Sequence, residues 1–154
     1  MPQLVKGGKH AYGWSTVLDN GQIRLPKEAL TEYKFETPTK VILMTASKRS
    51  GGFAITTPFL LKKSKLSFLL DREPRIANFQ LPEGETLMVG TKNYCWVHLN
   101  SNGTITVPKE TLKKYGVNLG DQLLSVRGSS LALSFIVKGP IIAEAKKHSN
   151  LERY

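Results

Sequence analysis

Gly21-Gln22-Ile23-Arg24-Leu25-Pro26-Lys27-Glu28 decides how this chain is read, because it returns as Gly103-Thr104-Ile105-Thr106-Val107-Pro108-Lys109-Glu110. A shift of 82 residues, which lays Pro26 on Pro108, carries the match outward in both directions. Gly8 meets Gly90, Tyr12 meets Tyr94 and Trp14 meets Trp96 on one side. Leu30 meets Leu112, Tyr33 meets Tyr115, Phe53 meets Phe135 and Pro58 meets Pro140 on the other. Residue types as rare as Trp, Tyr and Pro do not stay in register over such a span by chance. The chain is therefore a tandem duplication, with one copy over residues 1–82 and the second over residues 83–154. Two copies at this period are not a solenoid. A unit of about 80 residues buries a small share of its surface alone. The expectation is that the unit pairs with itself about a twofold axis.

Within one unit, Trp14 to Pro26 reads as a strand, an Asn20-Gly21 turn and a second strand. Asn-Gly between alternating apolar residues is a strong hairpin signal. Ile23 and Leu25 alternate with Gln22 and Arg24, and Ile105 and Val107 with Thr104 and Thr106, so one face is core and the other outward. Pro26 and Pro108 then suit the first turn of a short helix. Ala29, Leu30 and Tyr33 share one of its faces, as do Leu112 and Tyr115 in copy two. Gly116 stands where a residue closing a helix in the left-handed conformation belongs, and copy one has Lys34 there. Two strands follow in each copy, KVILMTA with GFAIT and DQLLSVR with LALSFIV. Each copy closes with a segment opened by Pro58 or Pro140, expected to be an amphipathic helix. Residues 71–90, with Pro74, Pro82 and Gly84, read as a linker, with short strands in TLMVG and in LVKGG.

The chain has 154 residues and a single cysteine, Cys95, which excludes an intramolecular disulfide. His10, His98 and His148 lack metal-ligand spacing, so no metal and no cofactor is expected. No acid–base pair and no phosphate-cradling glycine motif is present, and the chain does not read as an enzyme. The start lacks the apolar core of a signal peptide, and no run reaches the roughly 18 apolar residues of a membrane span. The expected compartment is the cytoplasm. The formal charge of +10 favours a polyanionic partner, and phosphate backbones are the commonest. Copy one carries 13 Lys and Arg against 6 Asp and Glu, and copy two 9 against 6. Any nucleic-acid face is thus expected mainly on copy one.

The pattern Gly-x-Ile-x-apolar-Pro-Lys-Glu, a short helix, then Tyr115-Gly116-Val117-Asn118-Leu119-Gly120-Asp121 and an apolar hairpin resembles the AbrB/SpoVT type of swapped-hairpin DNA-binding domain. The resemblance covers about residues 14–55 and 96–135. In copy one, Lys34-Phe35-Glu36-Thr37-Pro38-Thr39 replaces the Gly-Asp turn. It implies a mainly β fold with short helices: two tandem swapped-hairpin units forming a pseudo-twofold β-barrel within one chain, each followed by a helical segment. A homodimer with like copies paired across chains is the alternative. It implies a double-stranded DNA-binding transcription regulator. The alternatives are an antitoxin-like module whose segment from Pro140 to Tyr154 covers a protein partner, or a barrel scaffold that has lost DNA binding. The arginine that typically follows the hairpin glycine in this family is Gln22 and Thr104 here, and the arginine of the short helix is Leu30 and Leu112. The remaining candidate DNA contacts are Gln22, Arg24, Lys27, Thr104, Thr106, Lys109 and Lys113. Arg and Lys there would grip phosphates, and Gln and Thr could reach base edges. Lys62-Lys63-Ser64-Lys65 and Lys146-Lys147-His148 read first as polar helix faces.

Overall fold

The structure is a computed structural model that describes residues 3–5, 9–147 and 151–154; Gly8 and His148 lie outside the described residues. It is mainly β with short helices. In copy one the strands are β1 (Gln3–Val5), β2 (Lys9–Thr16), β3 (Gln22–Arg24), β4 (Thr39–Thr45) and β5 (Phe53–Thr56). The helix α1 (Lys27–Glu32) lies between β3 and β4, and α2 (Pro58–Leu61), α3 (Phe68–Arg72) and α4 (Pro74–Ala77) follow β5. Copy two repeats the plan with β6 (Leu87–Val89), β7 (Lys92–Leu99), β8 (Thr104–Thr106), α5 (Lys109–Lys114), β9 (Gln122–Arg127), β10 (Leu133–Ile136), α6 (Pro140–Ala145) and β11 (Glu152–Arg153).

The copies pair within one chain by exchanging strands. β2 of copy one pairs with β9 of copy two, β4 with β7, and β5 with β10, all antiparallel. β3 leaves this sheet and pairs with β8 in a separate two-stranded ribbon. Equivalent residues meet at two places: Ile23 opposite Ile105, and Phe53 opposite Phe135. A pseudo-twofold axis therefore runs from the ribbon through the β5–β10 pairing. The Phe53 and Phe135 rings stack across it with centroids 5.5 Å apart.

The expected closed barrel is not formed. The main sheet is open, in the order β1-β2-β9-β10-β5-β4-β7-β6, with β11 added in parallel to β2. Its two halves turn one face toward a common core and the other toward separate coverings, while β3 and β8 leave for a ribbon of their own, and among the described residues no ladder joins β1 to β6. Along β4, Val41 and Leu43 enter the common core with Ile23, Ile105, Tyr33 and Tyr115, while Ile42 and Met44 pack under Leu61, Leu69 and Ile76. Along β9, Leu123 faces the common core, while Leu124 and Val126 pack with Ile142, Ala145 and Leu151. Burial on both faces is why KVILMTA reads as a continuous apolar run rather than an alternation.

Three local expectations change. The Asn-Gly hairpin closes only at its tip, where Leu18 N–H donates to Gln22 O at 3.0 Å and Gly21 N–H to Leu18 O at 2.8 Å. The strands then separate, because β3 gains a full ladder on β8. The segment after Pro58 breaks into short pieces: Ser64 Oγ donates to Leu61 O at 2.9 Å and accepts from Leu66 N–H at 3.0 Å, in competition with helical bonding. The stretch read as a linker contains α4, which buries Ile76 and Ala77 under the sheet. Among the described residues no helix is long and apolar enough to cross a membrane.

Candidate nucleic-acid interface

The ribbon brings together four of the seven candidate residues. Three-residue strands suffice to build it, because Ile23 and Ile105 anchor its inner face in the core with no exposure. By the twofold alternation of strands, Gln22, Arg24, Thr104 and Thr106 take the outer face. Gln22 stands opposite Thr106, and Arg24 opposite Thr104. Main-chain bonds extend the ladder at both ends, from Leu25 N–H to Gly103 O at 2.9 Å and from Val107 N–H to Gly21 O at 3.0 Å.

The four side chains are not equally available. Arg24 and Thr106 are exposed and Gln22 is half-buried. Thr104, expected on the outer face as a contact, is 1 % exposed. Its hydroxyl serves the hairpin instead: it donates to Asn102 Oδ1 at 2.7 Å and accepts from Gln22 Nε2 and Asn100 Nδ2, each at 3.3 Å. The Arg24 guanidinium is steered toward the copy-two hairpin tip by one bond, from Nη1 to Asn102 O at 3.0 Å. One of its five N–H donors is thereby used.

Lys27 and Lys109 open α1 and α5 directly after the ribbon strands and are exposed at equivalent positions on either side of the axis. Lys113 is further along α5, 3.9 Å from Glu110 across one helical turn. Carboxylates offset much of the charge around the ribbon: Glu28 follows Lys27, Glu110 follows Lys109, and Asp19 stands at the copy-one hairpin tip. Much of the surplus positive charge sits elsewhere, at exposed Lys62, Lys63 and Lys65 after α2, and at Lys48, Arg49 and Lys138 in two loops tied together by Lys138 N–H donating to Ser50 O at 3.0 Å.

A groove of about 500 Å³ runs beside Arg24 between α1, the Ser101-Asn102-Gly103 tip and the chain's last residues, and Lys27, Glu28, Glu152 and Tyr154 also line it. No pattern in the sequence points to Glu152 and Tyr154 here, because the apolar spacing after Pro140 predicts a helix. Instead α6 ends at Ala145, and β11 lies along β2 with Tyr154 N–H donating to Trp14 O at 2.7 Å. Leu151 is buried with Trp14 and Ile142. Within the segment proposed to cover a protein partner, Ile142, Ala145 and Leu151 pack against the chain's own sheet.

Trp14, Trp96, Tyr12 and Tyr94 are all buried. Burial and the hydrogen-bonded Glu32 carboxylate push the Tyr12 phenol up to about 12. Among the described residues no group of three or more His, Cys, Asp or Glu is arranged to hold a metal ion.

No family model matches the chain, and no curated protein matches it. The solution structure of PHS018 from Pyrococcus horikoshii is similar with a TM-score of 0.37 at 12% sequence identity, over 84% of this chain and 98% of that one. A likeness at that score assigns neither a fold family nor a function.

Proposed function

We propose that the β3–β8 ribbon is a double-stranded DNA-binding surface and that the protein is a DNA-binding transcription regulator. One observation carries this reading: a two-stranded ribbon with an outward polar face, flanked by Lys27 and Lys109 about a pseudo-twofold axis. The major groove admits a two-stranded β-ribbon, and a duplex has local twofold axes of its own. Gln22, Arg24 and Thr106 are the side chains that would face base edges, and Lys27 and Lys109 the ones that would grip phosphates on either side.

The partly offset charge sets a quantitative expectation. Lys27 and Lys109 together would release counterions from about two phosphates, so log affinity should fall with log salt at a slope of roughly −1.8. Fluorescence anisotropy of a labelled mixed-sequence duplex across a salt series measures it. Lys27→Ala and Lys109→Ala should each flatten the slope by about 1. Absence of binding at low salt, or slopes indifferent to both substitutions, would overturn the proposal. The first outcome would favour a scaffold that has lost DNA contacts, a reading motivated by Gln22, Thr104, Leu30 and Leu112 standing where arginines were expected.

A further inference from the structure

The pseudo-twofold axis is obeyed by the core and broken on the ribbon's outer face. On the axis Ile23 meets Ile105, identical residues in identical roles. One residue away to either side the identity stops. Arg24 of copy one is equivalent to Thr106 of copy two, and Gln22 to Thr104. Burial widens the difference, because Thr104 is enclosed by the hairpin while Gln22 is only half-buried. β3 therefore offers an amide and a guanidinium, and β8 offers one hydroxyl.

The two ends of the ribbon differ accordingly. At one end Arg24 lies beside the copy-two tip, Ser101-Asn102-Gly103, held by the Asn102 carbonyl. At the other end Thr106 lies beside Gln22, next to the copy-one tip that carries the exposed carboxylate of Asp19. A threonine there has no group that could make Arg24's contact. A rise of about 3.4 Å per residue separates the Arg24 and Thr106 levels by roughly 7 Å, or about two base-pair steps.

Resting on the DNA-binding reading above, we infer that this protein reads a non-palindromic duplex in one fixed orientation, with Arg24 specifying a guanine in one half-site and no counterpart in the other. An arginine is the side chain that pairs bidentately with guanine O6 and N7 in the major groove. Arg24 keeps four N–H donors for it and has its head already restrained, which lowers the ordering cost of the contact. Fusion of two copies in one chain permits this difference, since the two positions are encoded separately.

Selection of bound sites from a randomised duplex pool tests the inference, with the wild type, Arg24→Thr, Arg24→Lys and Thr106→Arg run in parallel. Both positions are exposed, and a thermal melt of each variant checks that it is folded. The wild type should enrich an asymmetric site with a guanine in one half. Changing that guanine should weaken binding about 10- to 100-fold. Arg24→Thr should lose the guanine preference. Arg24→Lys should lose most of it while keeping the salt slope, because the point charge stays and the planar fork goes. Thr106→Arg should add a second guanine in inverted orientation and make the site palindromic. A palindromic wild-type site, or a Thr106→Arg site identical to the wild-type one, would overturn this inference and leave the DNA-binding reading standing. Failure of every variant to retain any duplex at low salt would overturn both.

Discussion

Lys34 and Gly116 occupy equivalent positions, and the structure gives them the same backbone. Lys34 has φ 56° and Gly116 φ 74°. Each closes its helix with the same pair of bonds. Phe35 N–H donates to Leu30 O at 2.9 Å and Lys34 N–H to Thr31 O at 3.2 Å; Val117 N–H donates to Leu112 O at 2.9 Å and Gly116 N–H to Lys113 O at 3.0 Å. This is the Schellman arrangement, which places a left-handed residue just beyond the helix end. A lysine pays about 1 kcal/mol or more for that conformation, and a glycine does not. Lys34→Gly should therefore stabilise the protein by about 1 kcal/mol, less the entropy that glycine adds to the unfolded chain. Gly116→Lys should destabilise it by a similar amount. Urea titration checks both, with the midpoint shifting and the slope unchanged. The helix end was legible in copy two because glycine announces it. In copy one the letters concealed it, since only the repeat alignment points to Lys34. Alignment also misled. Tyr12 and Tyr94 match as letters, yet Tyr12 enters the common core and Tyr94 the covering layer of copy one. A β-bulge between Ala11 and Gly13 turns one strand over relative to the other. A one-residue slip reverses which face a side chain takes, and nothing in the alternation announces it.

At the scale of elements, the strands and the short helices after Pro26 and Pro108 were legible because alternation, Asn-Gly and proline act locally. Strand partners were not. β2 and β3 read as a hairpin but separate beyond its tip, because each finds a longer ladder in the other copy. The helix expected from Pro140 onward forms only over Pro140–Ala145; the extended form of Glu152–Arg153 depends on an edge far away in sequence. β11 lies along β2 opposite Gly13 and Trp14, and its closest approach is at Gly13. A Cβ there would meet Glu152 O at 2.3 Å. The equivalent residue in copy two is Cys95, whose strand pairs with β6 and, among the described residues, carries no such added segment. Gly13→Val should consequently detach β11 while leaving the β4–β7 pairing intact. Hydrogen exchange reads it directly: the Tyr154 amide, bonded to Trp14 O, should lose protection, while the amides of β4 and β7 keep theirs. Equal loss in both places would mean that Gly13 supports the whole sheet rather than this contact. Of the candidate interface, Arg24 and the two equivalent lysines were legible from alternation and repetition. The burial of Thr104 was not, because it comes from hydrogen bonds to Gln22, Asn100 and Asn102 that only the paired ribbon assembles.

For the whole molecule, the decisive fact is that the ladders joining the copies are the ones that hold the sheet together. β2 has its long partner in β9, β4 in β7 and β3 in β8, each on the other copy. Within a copy, the hairpins β4–β5 and β9–β10 remain, with β1 and β6 on their neighbours. A hairpin with a short edge strand is marginal in water without a packed face. The common core that supplies that face draws Ile23, Val41 and Phe53 from one copy and Ile105, Leu123 and Phe135 from the other. Fusion makes this association intramolecular, at an effective concentration that the connecting chain sets. Fragments 1–82 and 83–154, made separately, should therefore behave differently from the intact chain. Each alone should either lack a cooperative transition or show one that rises with its own concentration, as self-pairing requires. Mixed in equal amounts, they should form a one-to-one complex whose melting temperature rises with concentration, whereas that of the intact chain should not. Circular dichroism melts over a concentration series, with ultracentrifugation for stoichiometry, make the comparison. A fragment that unfolded cooperatively as a monomer, at a temperature independent of concentration, would show that the exchanged ladders are dispensable and that the duplication joined two domains already complete.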